Sequence, residues 1–148
     1  MRTIIAGAGQ PVAGDDGVGL AVLDELRRRA LPAGLELLHL RDPAALIGLF
    51  ETEAKVVVVD ALLAPPAGRV LELKRDALGS APRRPSSSHG IDVADALALA
   101  EALHPVPLDL RIVAVTIARP EGVAFGLSPA VRTAVPRAAN LSLLLLGA

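Results

Sequence analysis

The sequence predicts one α/β domain over residues 1–148, arranged in three layers: a twisted, mostly parallel sheet of about five strands with helices on both faces. Two observations support this. Apolar, β-branched runs alternate along the chain with segments of helical periodicity, and 148 residues is the size of one ordinary domain. Because hydrophobic residues make up 52% of the chain and aromatic ones 1%, the core is expected to be aliphatic.

Five segments have the pattern of strands. Apolar runs bounded by glycine, proline or charged residues are typical of strands buried on both faces, and "KVVVVDALL" is the clearest of them. The fourth segment follows "PPAG" and alternates in polarity, so we expect it to be antiparallel and at an edge. The predicted strands cover residues 2–7, 35–40, 55–63, 69–74 and 110–117.

Four segments have the pattern of helices. Apolar residues in the first lie on one stripe, and the last begins with Ser128 and Pro129, a common helix start. Pro136 predicts a kink in this last helix. The predicted helices cover residues 17–30, 43–53, 91–103 and 128–147.

Composition excludes several classes of protein. The formal net charge is −1, without the basic excess typical of nucleic-acid binders, and the absence of cysteine excludes disulfides and thiolate sites. The first apolar run is too short for a signal peptide, and no apolar stretch is long enough to cross a membrane. We therefore expect a cytoplasmic protein that binds neither nucleic acid nor membrane, as a monomer or weak homo-oligomer.

Ligands of parallel sheets bind beyond the carboxyl ends of the strands. "GAGQPVAGDDGVG" follows the first strand there, and it matches a nucleotide-binding loop poorly. The third glycine of the dinucleotide fingerprint is replaced by Val12, Pro11 removes an amide, and two aspartates occupy the place of phosphate. A phosphoacceptor domain fits only in part, because its acidic pair lies directly at the strand end and its lysine after the last strand is absent.

Three residues at these strand and loop positions are candidates for chemistry: Asp16, Asp60 and His89. Each also has a simpler explanation, since aspartates cap helices and loops, and Ser87 or Ser88 caps the helix that follows His89. A single aspartate suffices as a cap, so we expect Asp15 to cap the helix or support the loop.

The three candidate residues together offer two carboxylates and one imidazole. This is an incomplete ligand set, suited to a borderline divalent ion such as nickel, zinc or cadmium. We expect Asp16, Asp60 and His89 to converge on one cleft that solvent can reach. His39, which is expected on a strand, and His104 require no functional role.

The order of "GAGQPVAGDDGVGLAVLDEL", "VVVVDALLAPPAG" and "SSSHGIDVADALALAEAL" resembles the maturation endopeptidases of [NiFe] hydrogenases over essentially the whole chain. The resemblance implies a protease that removes a C-terminal extension from the hydrogenase large-subunit precursor once nickel is inserted. It also implies that Asp16, Asp60 and His89 contact the nickel of the substrate, and that the enzyme has no tightly bound cofactor of its own. Zinc or cadmium could substitute for nickel there.

Two features depart from the family pattern. Gln10 and Pro11 replace the usual Asn and its apolar neighbour, and "LRDPAAL" replaces the Gly-Gly-Thr-type turn after the second strand. That turn helps to shape substrate recognition in the family, so the identity of the target is open. The alternative function is a non-catalytic domain that binds or senses a divalent metal.

Overall fold

A computed structural model describes residues 2–10, 14–49, 53–73, 93–103, 109–119 and 126–147. Its strands are β1 (Arg2–Ala8), β2 (Leu35–Leu40), β3 (Ala54–Leu63), β4 (Val70–Leu73) and β5 (Asp109–Ile117). Its α-helices are α1 (Val18–Arg27), α2 (Leu46–Leu49), α3 (Val93–Leu103) and α4 (Pro129–Leu145), and 3₁₀ turns cover Gly14–Gly17 and Pro43–Ala45.

The five strands form one sheet in the order β2-β1-β3-β5-β4. The pairs β1–β2, β1–β3 and β3–β5 are parallel, whereas β4 lies antiparallel to β5 at the edge. The predicted fold class is therefore confirmed, including the antiparallel edge strand.

Helices cover both faces of the sheet, and alternate residues of β3 divide the core between them. Val56 and Val58 pack with residues of α2 and α3 on one face. Val57 and Val59 pack with residues of α1 and α4 on the other face. The burial of these valines is complete, which explains why the strand sequence is continuously apolar.

The chain leaves β1 and β3 in opposite directions across the sheet. Helix α1 leads from β1 outward to β2 on one side, whereas the chain after β3 continues to β4 and β5 on the other side. A crevice therefore opens between the carboxyl ends of β1 and β3, where the strand order reverses. Ligands of open α/β sheets bind in such crevices.

The helices lie in the predicted parts of the chain, but their lengths differ from the prediction. The segment predicted as helix over 43–53 forms the 3₁₀ turn and α2, and Glu53 lies outside helix, directly before β3. Asp42 starts this segment, since its Oδ1 accepts a hydrogen bond from the Ala44 N–H at 3.0 Å. Helix α4 continues through Pro136. In the part of the chain that the structure describes, no helix has the length and hydropathy needed to cross a membrane.

Glu25 on α1 binds two arginines, Arg28 and Arg29, that directly follow the same helix. Its carboxylate accepts hydrogen bonds from Arg29 and from Arg28, both at 2.9 Å. These bonds, led by the one from Arg29, hold the pKa of Glu25 below its ordinary value near 4.5. The stabilisation is therefore present in full above that value and is lost as the pH falls through the lowered pKa of the folded state.

We expect Glu25→Gln to lower the Tm at pH 7, and we expect the difference from the wild type to shrink between pH 5 and pH 3. Thermal unfolding followed by circular dichroism across this pH range tests it. Arg28→Gln is the matched control, because Arg28 is the second cause of the shift and is largely exposed, so its effect should be smaller. A difference that grows toward acid pH would contradict the assignment.

Candidate active site

The turn Gly14–Gly17 carries Asp15 and Asp16 and lies against the end of β1. Gly9, directly after β1, has φ = +118°, a conformation that favours glycine. A Cβ atom placed on Gly9 would lie 2.1 Å from the carbonyl oxygen of Asp16. The backbone of Asp16 therefore rests directly on Gly9, with its side chain half-buried.

Two further glycines bring the start of α1 onto the sheet. A Cβ on Gly7 would lie 2.4 Å from the carbonyl oxygen of Gly19, and one on Gly19 would lie 2.3 Å from that of Ala8 and 2.7 Å from that of Val59. Helix α1 thus packs backbone to backbone against β1 and β3. These glycines serve this close approach, which positions the acidic turn at the crevice.

Asp60 lies in β3 at the same end of the sheet. It follows Val59, which pairs with Gly7 near the end of β1, and alternation along the strand places Asp60 on the face covered by α2 and α3. Its side chain is only 4% exposed, and its Oδ1 accepts a hydrogen bond from the Ala61 N–H at 2.8 Å. A carboxylate buried at this depth costs desolvation, and Asp60 lies inside β3 rather than in a loop.

His89 lies outside the described residues, so its position relative to the two aspartates stays a prediction. Within the described ranges, no group of three or more His, Cys, Asp or Glu residues could hold a metal ion. The described residues thus place Asp16 and Asp60 at the same end of the sheet, on either side of the switch in strand order.

Asp15 supports the loop rather than capping α1. Its Oδ1 accepts a hydrogen bond from the Ser128 N–H at 2.7 Å, and its Oδ2 accepts one from the Ser128 hydroxyl at 2.9 Å. Ser128 is the N-cap residue of α4, and its hydroxyl does not cap its own helix. The first aspartate of the motif therefore ties the acidic turn to the start of the last helix.

We expect Asp15→Ala to lower the free energy of unfolding by about 1–2 kcal/mol, because it leaves two donors of Ser128 without their charged acceptor. Any activity of the site should persist at temperatures where the variant is folded. Urea unfolding and an activity assay on the same preparation measure both effects. Ser128→Ala, which removes only the hydroxyl bond, should cost less, and the double variant should show coupling between the two residues. Lost activity at unchanged stability would contradict this assignment.

A groove of about 560 Å³ lies beside the acidic turn. Gly14 and Gly17 of the turn line it, with Leu20 and Asp24 of α1 on one side and residues from the end of β2 on the other. The groove is open to solvent. The residues contributed by the β2 side are His39 and Arg41, together with Gln10 from the end of β1.

Two contacts in this region were not anticipated from the sequence. The amide nitrogen of Gln10 donates to the Arg41 carbonyl at 2.9 Å, and Nε2 of His39 lies 3.0 Å from the Gly9 carbonyl oxygen. Gln10 thus links the exits of β1 and β2, next to the altered "LRDPAAL" turn. No sequence signal could have found these contacts, because they exist only once β2 is paired beside β1.

Comparison with known proteins shows which family the chain belongs to. Residues 22–144 match the family described as hydrogenase maturation protease (HycI). Protein FrxA of Pyrococcus furiosus is 33% identical over 136 residues, which cover 88% of this chain and 94% of that protein.

Solved structures agree with this match. The hydrogenase maturating endopeptidase HybD from E. coli superposes with a TM-score of 0.76 at 20% identity, covering 99% of this chain and 93% of HybD. The hydrogenase 2 maturation peptidase from Thaumarchaeota archaeon SCGC_AB-539-E09 superposes with a TM-score of 0.67 at 25% identity, covering 99% of each chain. The chain belongs to the hydrogenase maturation protease family, whose members are endopeptidases.

Proposed function

We propose that this protein removes a C-terminal extension from a nickel-loaded [NiFe] hydrogenase large-subunit precursor in the cytoplasm, and that Asp16, Asp60 and His89 recognise the nickel of the substrate. Membership of the family supports the processing reaction. The observation that supports the proposed site is that Asp16 and buried Asp60 lie at the same end of the sheet, on either side of the crevice between β1 and β3.

Nickel suits the donors that these residues would supply. Carboxylate oxygens and imidazole nitrogen bind borderline divalent ions, and three protein ligands leave further positions for the ligands of the substrate. An incomplete set binds a free ion weakly, whereas an ion already held by the precursor brings its own ligands. By recognising the metal, the enzyme would distinguish the nickel-loaded precursor from the metal-free one.

The same carboxylates are suited to the hydrolysis. A carboxylate that accepts a proton from water produces the hydroxide that attacks the scissile carbonyl. The carbon–nitrogen bond then breaks, and the proton passes to the departing amine. Asp16 is half-buried, whereas Asp60 is almost completely buried. Asp16 is therefore the better placed of the two to meet a water molecule.

The test is an in vitro assay with purified protein and its matched precursor, prepared either nickel-loaded or metal-free. The mass of the large subunit, measured by mass spectrometry, reports cleavage. We expect the loaded precursor to be shortened and the metal-free precursor to remain intact. Equal cleavage of both would contradict recognition of nickel. If neither is cleaved while the protein still binds divalent ions, the non-catalytic metal-binding alternative is favoured.

A further inference from the structure

His39 connects the edge strand of the sheet to the segment that leaves β1. In the β1–β2 register His39 is paired with Gly7, and its ring reaches forward to the carbonyl of Gly9, two residues further along. The distance from Nε2 to this oxygen is 3.0 Å, and the side chain is half-buried. Because a carbonyl oxygen can only accept, Nε2 must carry the hydrogen and donate it.

Gly9 in turn supports the backbone of Asp16. The carbonyl oxygen of Asp16 lies so close to the Cα atom of Gly9 that only glycine, which has no Cβ atom, fits at position 9. A shift of Gly9 would therefore be transmitted to the acidic turn by direct contact, because close-packed backbone cannot absorb it. A single residue, Gly9, thus lies between the ring of His39 and the backbone of Asp16.

The Gln10 side chain also connects the segments that follow β1 and β2, but here the donor belongs to the segment after β1. The Gln10 amide donates from the β1 exit to the Arg41 carbonyl beyond β2, but this bond is exposed to solvent. Water can replace an exposed hydrogen bond at little cost, whereas a half-buried one is harder to replace. The His39 bond should therefore be the more important of the two in holding the β1 exit.

We infer that His39 is a positioning residue that holds Gly9, and through it Asp16, in the geometry required for cleavage. The inference rests on the proposed function in so far as it assigns Asp16 to the reaction. It assigns His39 no contact with the substrate. Residues that orient a metal-contacting group from behind typically affect affinity or activity by about 10–100-fold when removed.

Two substitutions separate positioning from simple packing. His39→Leu fills similar space without a donor, whereas His39→Gln places an amide N–H near the position of Nε2. Steady-state kcat and KM are measured with nickel-loaded precursor and normalised to the folded fraction. We expect His39→Leu to lower kcat about 10-fold or more with little change in KM, and His39→Gln to restore most of it. Glu36→Gln is the matched control, because it weakens the exposed link between Arg2 and Glu36 at the other end of the same two strands, and it should leave kcat within about 2-fold.

A second measurement does not depend on activity. Amide ¹H–¹⁵N shifts of Asp16 and Gly17 should move in His39→Leu and return toward the wild-type values in His39→Gln. Unchanged amide shifts, or equal kcat per folded molecule in all variants, would overturn the inference. If the wild type fails to cleave loaded precursor, the proposed function fails, and the amide shifts still decide whether His39 holds the turn.

Discussion

Asparagine at position 16 or 60 is expected to abolish processing of the nickel-loaded precursor, with a loss of at least about 10²–10³-fold, as when one group that acts on the reacting atoms is removed. Asparagine keeps the shape of each side chain and an acceptor oxygen, so the Ala61 N–H can still be satisfied in Asp60→Asn. What is lost is the negative charge that, under the proposed function, contacts nickel and accepts a proton. The initial rate of large-subunit shortening, measured by mass spectrometry, tests this.

Asp109→Asn is the matched control for both variants. Asp109 is an exposed carboxylate at the start of β5, at the opposite end of the sheet from Asp16 and Asp60. This substitution should leave the rate within about 2-fold, since an exposed charge so far from the crevice contributes little. Full activity in Asp16→Asn and Asp60→Asn would exclude these residues from the chemistry.

Gly19→Ala is expected to disturb both stability and activity. The new Cβ would meet the backbone oxygens of Ala8 and Val59, which are not flexible side-chain ends, so α1 must move away from the sheet. We expect a loss of about 2–3 kcal/mol in the free energy of unfolding, as for other overpacked sites. Because the turn with Asp16 directly precedes α1, activity per folded molecule should fall as well. Urea unfolding and the cleavage assay measure the two effects.

Gly48→Ala is the matched control, because no atom lies within 4 Å of a Cβ at that exposed position of α2. It should raise stability by about 0.5–1 kcal/mol, since alanine favours helix more than glycine does. Activity should be unchanged. A Gly19→Ala variant as stable and active as the wild type would show that α1 need not approach the strands closely.

Most of the fold could be predicted from local pattern. The continuous apolar run of β3 predicted a strand covered on both faces, and the polarity of β4 predicted an antiparallel edge. Both depend on side-chain alternation and burial, which are periodic in sequence. The second helix was predicted to include Glu53, which lies outside helix, because apolar periodicity does not show where a helix ends.

The candidate site could be predicted only as a set of residues. Asp16 and Asp60 were identified by their residue types and by their places, Asp16 in the loop after the first strand and Asp60 toward the carboxyl end of the third, and the placement of His89 stays a prediction. The sequence left two roles open for Asp15, capping the helix or supporting the loop. Its partner Ser128 lies more than a hundred residues away, so only the folded chain shows that it accepts two hydrogen bonds from the start of α4.

The sequence by itself determined the elements, the aliphatic core and the residue types available for chemistry, because these follow from short-range periodicity and composition. The tertiary structure alone decided the strand order β2-β1-β3-β5-β4, and with it the crevice between β1 and β3. It likewise decided that His39 reaches Gly9 and that Gly9 supports Asp16. Strand order depends on which surfaces pack best once the whole chain has collapsed, and that energy is a sum over contacts between segments distant in sequence.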